Sequence, residues 1–203
     1  MLHSVPSSSS RHDRSRWIAD SVRILAVLSI VAGAVWLDLP AVLGLLTTAG
    51  GLLLLRVFRL AGPFDTAICA TIFIATWSGL IGLYRAISWW DLAVHFVTIG
   101  AVAAALYLIL ARSNVTPGTE RIFSARSIVV LSFSLGLTVA VLWEFAEWVG
   151  NRYITDLIMV GYDDTIGDLA VGGAGAALAG VALAVWTSRA AQQVDHQGSS
   201  SSR

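Results

Sequence analysis

The stretch LAVHFVTIGAVAAALYLILA, Leu92 to Ala111, decides the fold class. It runs for twenty residues without an Asp, Glu, Lys or Arg, and about 20 apolar residues in a helix cross the hydrocarbon core of a bilayer. Runs of the same kind stand at Leu39 to Leu55, Thr66 to Tyr84, Ser127 to Trp143 and Leu169 to Ser188. Another, Ile24 to Leu37, is short; it reaches spanning length if Arg23 and Asp20 snorkel to the interface and Trp17 anchors the boundary. A cleaved signal peptide is the rival reading of that first run, but the polar leader is long and no small-residue cleavage site follows it. The expectation is an all-α polytopic membrane bundle of about six helices.

Composition agrees. Of 203 residues, 56% are apolar and 13% charged, with a mean hydropathy of +0.75, a balance that excludes an ordinary soluble domain. Thirteen arginines, with no lysine, cancel thirteen acids, so bulk charge offers nothing to a nucleic acid. The single cysteine, Cys69, excludes an internal disulfide and a thiolate metal cluster, and reads as a small buried apolar residue. Serine runs at Ser7 to Ser10 and Ser199 to Ser202 mark residues 1–16 and 190–203 as disordered tails, leaving 17–189 as the transmembrane domain. Pro40 marks a tight turn between the first two spans, and Asn114 to Gly118 a loop between the fourth and fifth.

Short loops rich in arginine stay in the cytoplasm. With both termini inside, eleven arginines fall on the inner side and only Arg85 and Arg152 on the outer. Trp36, Trp89, Trp90, Trp143 and Trp148 then lie near the outer interface, where amphipathic rings are favoured. The acids segregate to the same side: Asp38, Asp91, Glu144, Glu147, Asp156, Asp163, Asp164 and Asp168 all map to outer loops or outer span ends.

Spacing selects among them. Asp91 and His95 are four apart, Glu144 and Glu147 three apart, Asp164 and Asp168 four apart, so each pair stacks on one helical face. Together they form a three-helix set of one imidazole and up to five carboxylates, the donors a hard or borderline divalent cation requires. Plainer roles compete. Ser88 to Asp91 and Thr165 to Asp168 fit a helix-capping pattern, Asp156 and Asp163 fit solvated loop acids, and His95 fits a neutral histidine bonded to a neighbour. Glu144 and Glu147 fit none of these well, because an outward-running helix would place them in its last turns, where the dipole disfavours negative charge. Acids at membrane depth call for a partner: a proton, His95, Arg85, Arg152 or a bound cation.

The order Asp91-x3-His95-Phe96, then Trp143-Glu144-x2-Glu147-Trp148, then Asp164-Thr165-x2-Asp168 followed by Gly172 and small residues to Gly180, resembles the YjdF-like family of uncharacterised bacterial inner-membrane proteins. More distantly it is similar to the VanZ-like family, some of whose members are associated with glycopeptide-antibiotic resistance. The resemblance spans about residues 88 to 180 and implies a multi-pass protein of the bacterial plasma membrane; Glu147 and Asp168 stand where the VanZ-like pattern tends to show Gln and Asn.

Three readings of the site follow. One is a membrane enzyme acting on an envelope lipid or lipid-linked phosphate. In it Asp91, His95, Glu144, Glu147, Asp164 and Asp168 hold a divalent metal ion, or His95, Glu144, Glu147 and Asp168 supply acid and base, and Arg85 and Arg152 contact the phosphate. Another is a cation- or proton-coupled carrier. The third is a non-catalytic structural or regulatory protein clamped by a cation. The stripe Gly172-x3-Ala176-x3-Gly180 lets a helix approach closely, either within the chain or in a homo-oligomer.

Overall fold

The computed structural model describes residues 8–112 and 124–200, and among these every regular element is helical. In chain order they are α1 (Ser8–Trp36), α2 (Leu39–Leu55) with a short 3-10 turn at Arg56–Phe58, α3 (Gly62–Leu80), α4 (Leu83–Ala86), α5 (Trp90–Arg112), α6 (Ala125–Tyr153) and α7 (Tyr162–Ser200). Asp38 caps α2 by accepting from the Ala41 N–H at 3.1 Å, and Pro40 sits in the first turn, where its missing N–H costs nothing. The expected loop at Asn114 to Gly118 lies outside the described residues.

Five helices are long and apolar enough to cross a membrane: α1 from Arg14, α2 with its 3-10 extension, α5, α6, and α7 to Arg189. The run expected at Thr66 to Tyr84 does not join them. It forms α3, which starts earlier, at Gly62, takes in Asp65, and stops at Leu80. Gly82, at φ +75°, turns the chain in a left-handed conformation that favours glycine, so Tyr84 belongs to α4. Still, α3 runs parallel to α1 at the same depth: Thr66 Oγ1 donates to the Ser15 carbonyl (2.6 Å), Arg23 pairs with Asp65, and Trp77 Nε1 donates to Ser29 Oγ (3.2 Å).

The other contacts fix an alternating up-and-down order. Thr48 meets Thr76 and Arg23 meets the Leu52 carbonyl, so α2 opposes α1 and α3. Gly167 lies against Leu92 and Gly172 against Ile99, so α5 and α7 are parallel, whereas Gly173 against Phe133 and Gly180 against Val129 make α6 antiparallel to α7. The chain forms two groups of three mutually packed helices, α1–α3 and α5–α7, joined through α3 and α5. The start of α3 and the late part of α7 share one end of the bundle, where the Phe64 and Trp186 rings meet edge to face.

One expectation needs correction. Arg23 does not snorkel: it is 4% exposed and held inside the bundle, because Asp65 and the Leu52 carbonyl satisfy its guanidinium there. Helix extends beyond the apolar runs at both ends, α1 starting at Ser8 and α7 continuing through Ser200. No Gly or Pro interrupts Ser8–Trp36 apart from Gly33 near its end, and helix propagates readily outward from a packed segment. Finally, the Gly172, Ala176 and Gly180 stripe is filled within the chain. A Cβ at Gly172 would meet Ile99, Ala176 is fully buried beside Gly136, and Gly180 faces Val129 and Ser132.

Candidate functional site

The acids expected on the outer side gather at one end of the α5–α7 group. Asp91 is the second residue of α5 and His95 lies one turn deeper. Glu144 and Glu147 come from α6, and Asp168 from α7. His95 is the hub. Its Nε2 lies 3.5 Å from Asp91 Oδ1 and 4.0 Å from Asp168 Oδ2, while Nδ1 lies 3.9 Å from Glu144 Oε1. The ring is 4% exposed and packs edge to face against Trp143 at 6.2 Å between centroids. A cavity of about 10 Å³, the space of about one water, lies beside it against Val94, Thr98, Ile99 and Trp143.

Two ligand sets share this histidine, Asp91–His95–Asp168 and His95–Glu144–Glu147, and within each set the donor atoms lie within 4.8 Å of one another. Hydrogen bonding separates them. Thr165 Oγ1 donates to Glu144 Oε2 and Trp143 Nε1 to Glu147 Oε1, both at 2.7 Å, so each glutamate already has a partner. Asp168 is 1% exposed and neither carboxylate oxygen has one; His95 Nδ1 and Glu144 Oε1 are likewise buried and unpartnered. Buried polar atoms are nearly always bonded, so these four atoms around the imidazole stand out.

Capping does not explain Asp168, which lies six residues inside α7, counted from Tyr162. Asp91 sits in the first turn of its helix. The dipole argument for the glutamates also changes, because α6 continues nine residues past Glu144 and six past Glu147 to Tyr153. Their need for compensation comes from crowding and burial instead. Asp164 opens α7 and belongs to neither ligand set. Asp163 and Asp156 are exposed, as solvated acids are.

The two outer arginines stay outside the cluster. Arg85 donates to the Leu157 carbonyl at 2.9 Å, and Arg152 is exposed in the last turn of α6. Among the described residues no ion pair joins either to the acids. Tyr84, on α4 at the rim, donates to the Ala75 carbonyl. Burial, and then the negative charge of Asp91, Glu147 and Asp168, push its phenol well above the usual range.

Sequence reasoning missed the residues that hold the acids in place: Thr165, the indole of Trp143, and Trp90, whose Nε1 donates to Ser78 Oγ at 2.9 Å beside Asp91. Helical periodicity carried the signal for one of them, since Trp143 precedes Glu147 by four positions.

Comparison with curated proteins finds no match, and comparison with solved structures finds none. The match to a family is broad: residues 8–189 fit the family described as predicted membrane protein (DUF2238). With five helices fit to cross a bilayer and almost the whole chain covered by that match, the protein is an integral membrane protein belonging to the DUF2238 family.

Proposed function

We propose that this membrane protein binds one divalent cation between His95 Nε2, Asp91 and Asp168, with the Glu144 carboxylate facing the other ring nitrogen. The observation that carries the reading is the Asp168 carboxylate, buried with both oxygens unpartnered and aimed at a buried histidine. Two donors each about 2.1 Å from one tetrahedral ion lie about 3.4 Å apart, close to the separations around His95 Nε2. Histidine ligands characteristically give their other N–H to a carboxylate, the position Glu144 holds. A mixed imidazole and carboxylate set suits Zn, Mn or Fe.

The opposite end of the bundle supports the same reading. There Arg23 lies against Asp20, one turn before it on α1, and Asp65 near the start of α3. At the outer end His95 lies against Asp91, one turn before it on α5, and Asp168 near the start of α7. Where the inner group has a permanent cation the outer one has an imidazole, leaving several carboxylates unbalanced. A bound ion supplies the missing charge and ties α5, α6 and α7 together.

A catalytic use on an envelope lipid or lipid-linked phosphate is the second reading. Three protein ligands leave a coordination position for substrate oxygen, and Glu147 stands by as a further carboxylate. A phosphate would need the metal, since the neighbouring acids repel it and Arg85 and Arg152 are its only basic contacts. The likeness of residues 88 to 180 to the YjdF-like family supports a place in a bacterial plasma membrane, and the arginine asymmetry favours both termini inside and the site outside. A carrier is less well supported, because the acids lie near one end of the bundle and not at mid-depth.

Elemental analysis of the dialysed, detergent-purified protein tests the reading. Near-stoichiometric metal that is lost in a His95→Ala, Glu144→Gln, Glu147→Gln variant is the expected result. No metal in the natural sequence, even after supplementation with Zn, Mn or Fe, overturns it. Metal-dependent phosphate release from lipid-linked phosphates then separates the enzyme from the clamp.

A further inference from the structure

The helix α3 differs from its neighbours in a way that the outer site does not explain. Among the long helices of the described residues it alone is not one of the five that are long and apolar enough to cross a membrane by length and composition. Five of its polar side chains bond to other helices. Asp65, 6% exposed, receives both Nη atoms of Arg23 from α1, at 3.1 and 2.5 Å. Thr66 bonds the Ser15 carbonyl, Thr76 bonds Thr48 of α2 at 2.7 Å, Trp77 bonds Ser29 of α1, and Ser78 accepts from Trp90 of α5. Arg23 is equally committed, since its Nε also donates to the Leu52 carbonyl at 2.9 Å and its Nη1 to Asp20 at 2.9 Å.

We propose that α3 is a conditional span, admitted to the bilayer by the Arg23–Asp65 ion pair and held there by hydroxyl and indole bonds to α1, α2 and α5. Synthesis order suits this device, because α1 and its arginine precede α3. An acid within a membrane helix opposes insertion unless it is neutralised or paired, and here the partner is built into the preceding hairpin. The last of the bonds, from Trp90 to Ser78, places the residue beside Asp91 in the register of α3. The inner ion pair thereby reaches the outer site through a single helix.

Removing one partner of a buried ion pair leaves an uncompensated charge, whereas replacing both with apolar residues is often neutral or stabilising. That asymmetry gives the test. In the full chain carrying Cys69→Ala, Ile81→Cys places a reporter at an exposed position just past α3. A membrane-impermeant maleimide is applied to sealed cells and, in parallel, to permeabilised ones. In the parent, residue 81 is reached from one side only. With Arg23→Leu, labelling from that side falls by about tenfold, and with Arg23→Leu/Asp65→Leu it returns to the parent level. Parent-like labelling in Arg23→Leu, or a double variant no better than the single one, overturns the proposal. If Arg23→Leu fails to accumulate, the double variant decides: recovered protein with parental sidedness supports the device, and continued loss overturns it. None of these outcomes depends on metal content.

Discussion

Thr165 Oγ1 donates to Glu144 Oε2 at 2.7 Å, and this bond ties the first turns of α7 to α6 directly beside the imidazole. The bond leaves Glu144 Oε1 free to face His95 Nδ1. Thr165 is therefore a positioning residue for the proposed cation site. Thr165→Val should weaken metal binding by about tenfold, the lower end of what loss of an outer-shell hydrogen bond costs, while Thr165→Ser keeps the hydroxyl and the affinity. Equilibrium dialysis against a metal buffer measures both; equal affinity in the two variants would remove Glu144 from the site.

Asp168→Asn should act with opposite sign in the two states of the protein. Without metal it removes one charge from a crowded, buried set of acids and is neutral to stabilising. With metal it removes a ligand, and bound metal falls well below one per chain. Asp163→Asn, at an exposed position outside both ligand sets, serves as the control and leaves metal content unchanged. Thermal unfolding with and without chelator, together with elemental analysis, separates these outcomes. A destabilised metal-free Asp168→Asn protein would instead assign that carboxylate to an internal hydrogen-bond network.

Metal binding should raise stability in a pH-dependent way. An ion present at a hundred times its Kd contributes about 2.7 kcal/mol, which corresponds to a rise in Tm of roughly 5–10 °C for a chain of this size. The ligands bind in their deprotonated forms, so protons compete with the ion. The metal-induced rise in Tm is therefore full at high pH and shrinks as pH falls. Scanning calorimetry across pH, with and without metal, measures it. A metal effect that grows on acidification would contradict the ligand set.

The bundle was legible in the sequence because spanning length and lack of charge are coarse requirements. Leu92 to Ala111 fixed α5 to within a residue or two. Local apolar content marked Thr66 to Tyr84 as a run but could not show that α3 begins at Gly62, takes in Asp65 and stops at Leu80, nor that Asp65 is paired with Arg23 of a helix far away in sequence. Periodicity paired Asp91 with His95 and Glu144 with Glu147, since a helix brings i, i+3 and i+4 together. It could not show that Asp164 belongs to neither ligand set while Asp168 faces the imidazole. Nor could it show that Arg85 serves a backbone carbonyl. Those outcomes depend on how α5, α6 and α7 pack, which the glycines permit but do not specify.

That packing makes its own prediction. A Cβ at Gly175 would collide with the Phe96 backbone of α5, and a backbone atom cannot swing aside as a flexible side chain can. Gly175→Ala should push α5 and α7 apart and cost a few kcal/mol, in the range of overpacked cores. At Gly50 of α2 nothing lies within 4 Å of the place a methyl group would take, so Gly50→Ala should stabilise the helix by about 0.5–1 kcal/mol. Detergent thermal melts monitored by size-exclusion chromatography compare the two. Similar Tm values would mean that α5 and α7 are not in backbone contact at this crossing.

The likeness between the two polar centres leads to the sharpest expectation. Arg23 meets Asp20 and Asp65 as His95 meets Asp91 and Asp168, but only the arginine carries a permanent charge. In His95→Arg a guanidinium would stand in for the bound cation and pair with Asp91 and Asp168. The variant should bind no metal, and its Tm should be the same with or without chelator, whereas His95→Gln, with no charge to offer, should lose metal and remain at the chelated value of the natural protein. Because arginine is larger than histidine, the comparison rests on chelator sensitivity and not on absolute Tm. A His95→Arg protein that still takes up metal stoichiometrically, or still loses stability on chelation, would show that the ion does not sit against the imidazole and would move attention to the glutamate pair of α6.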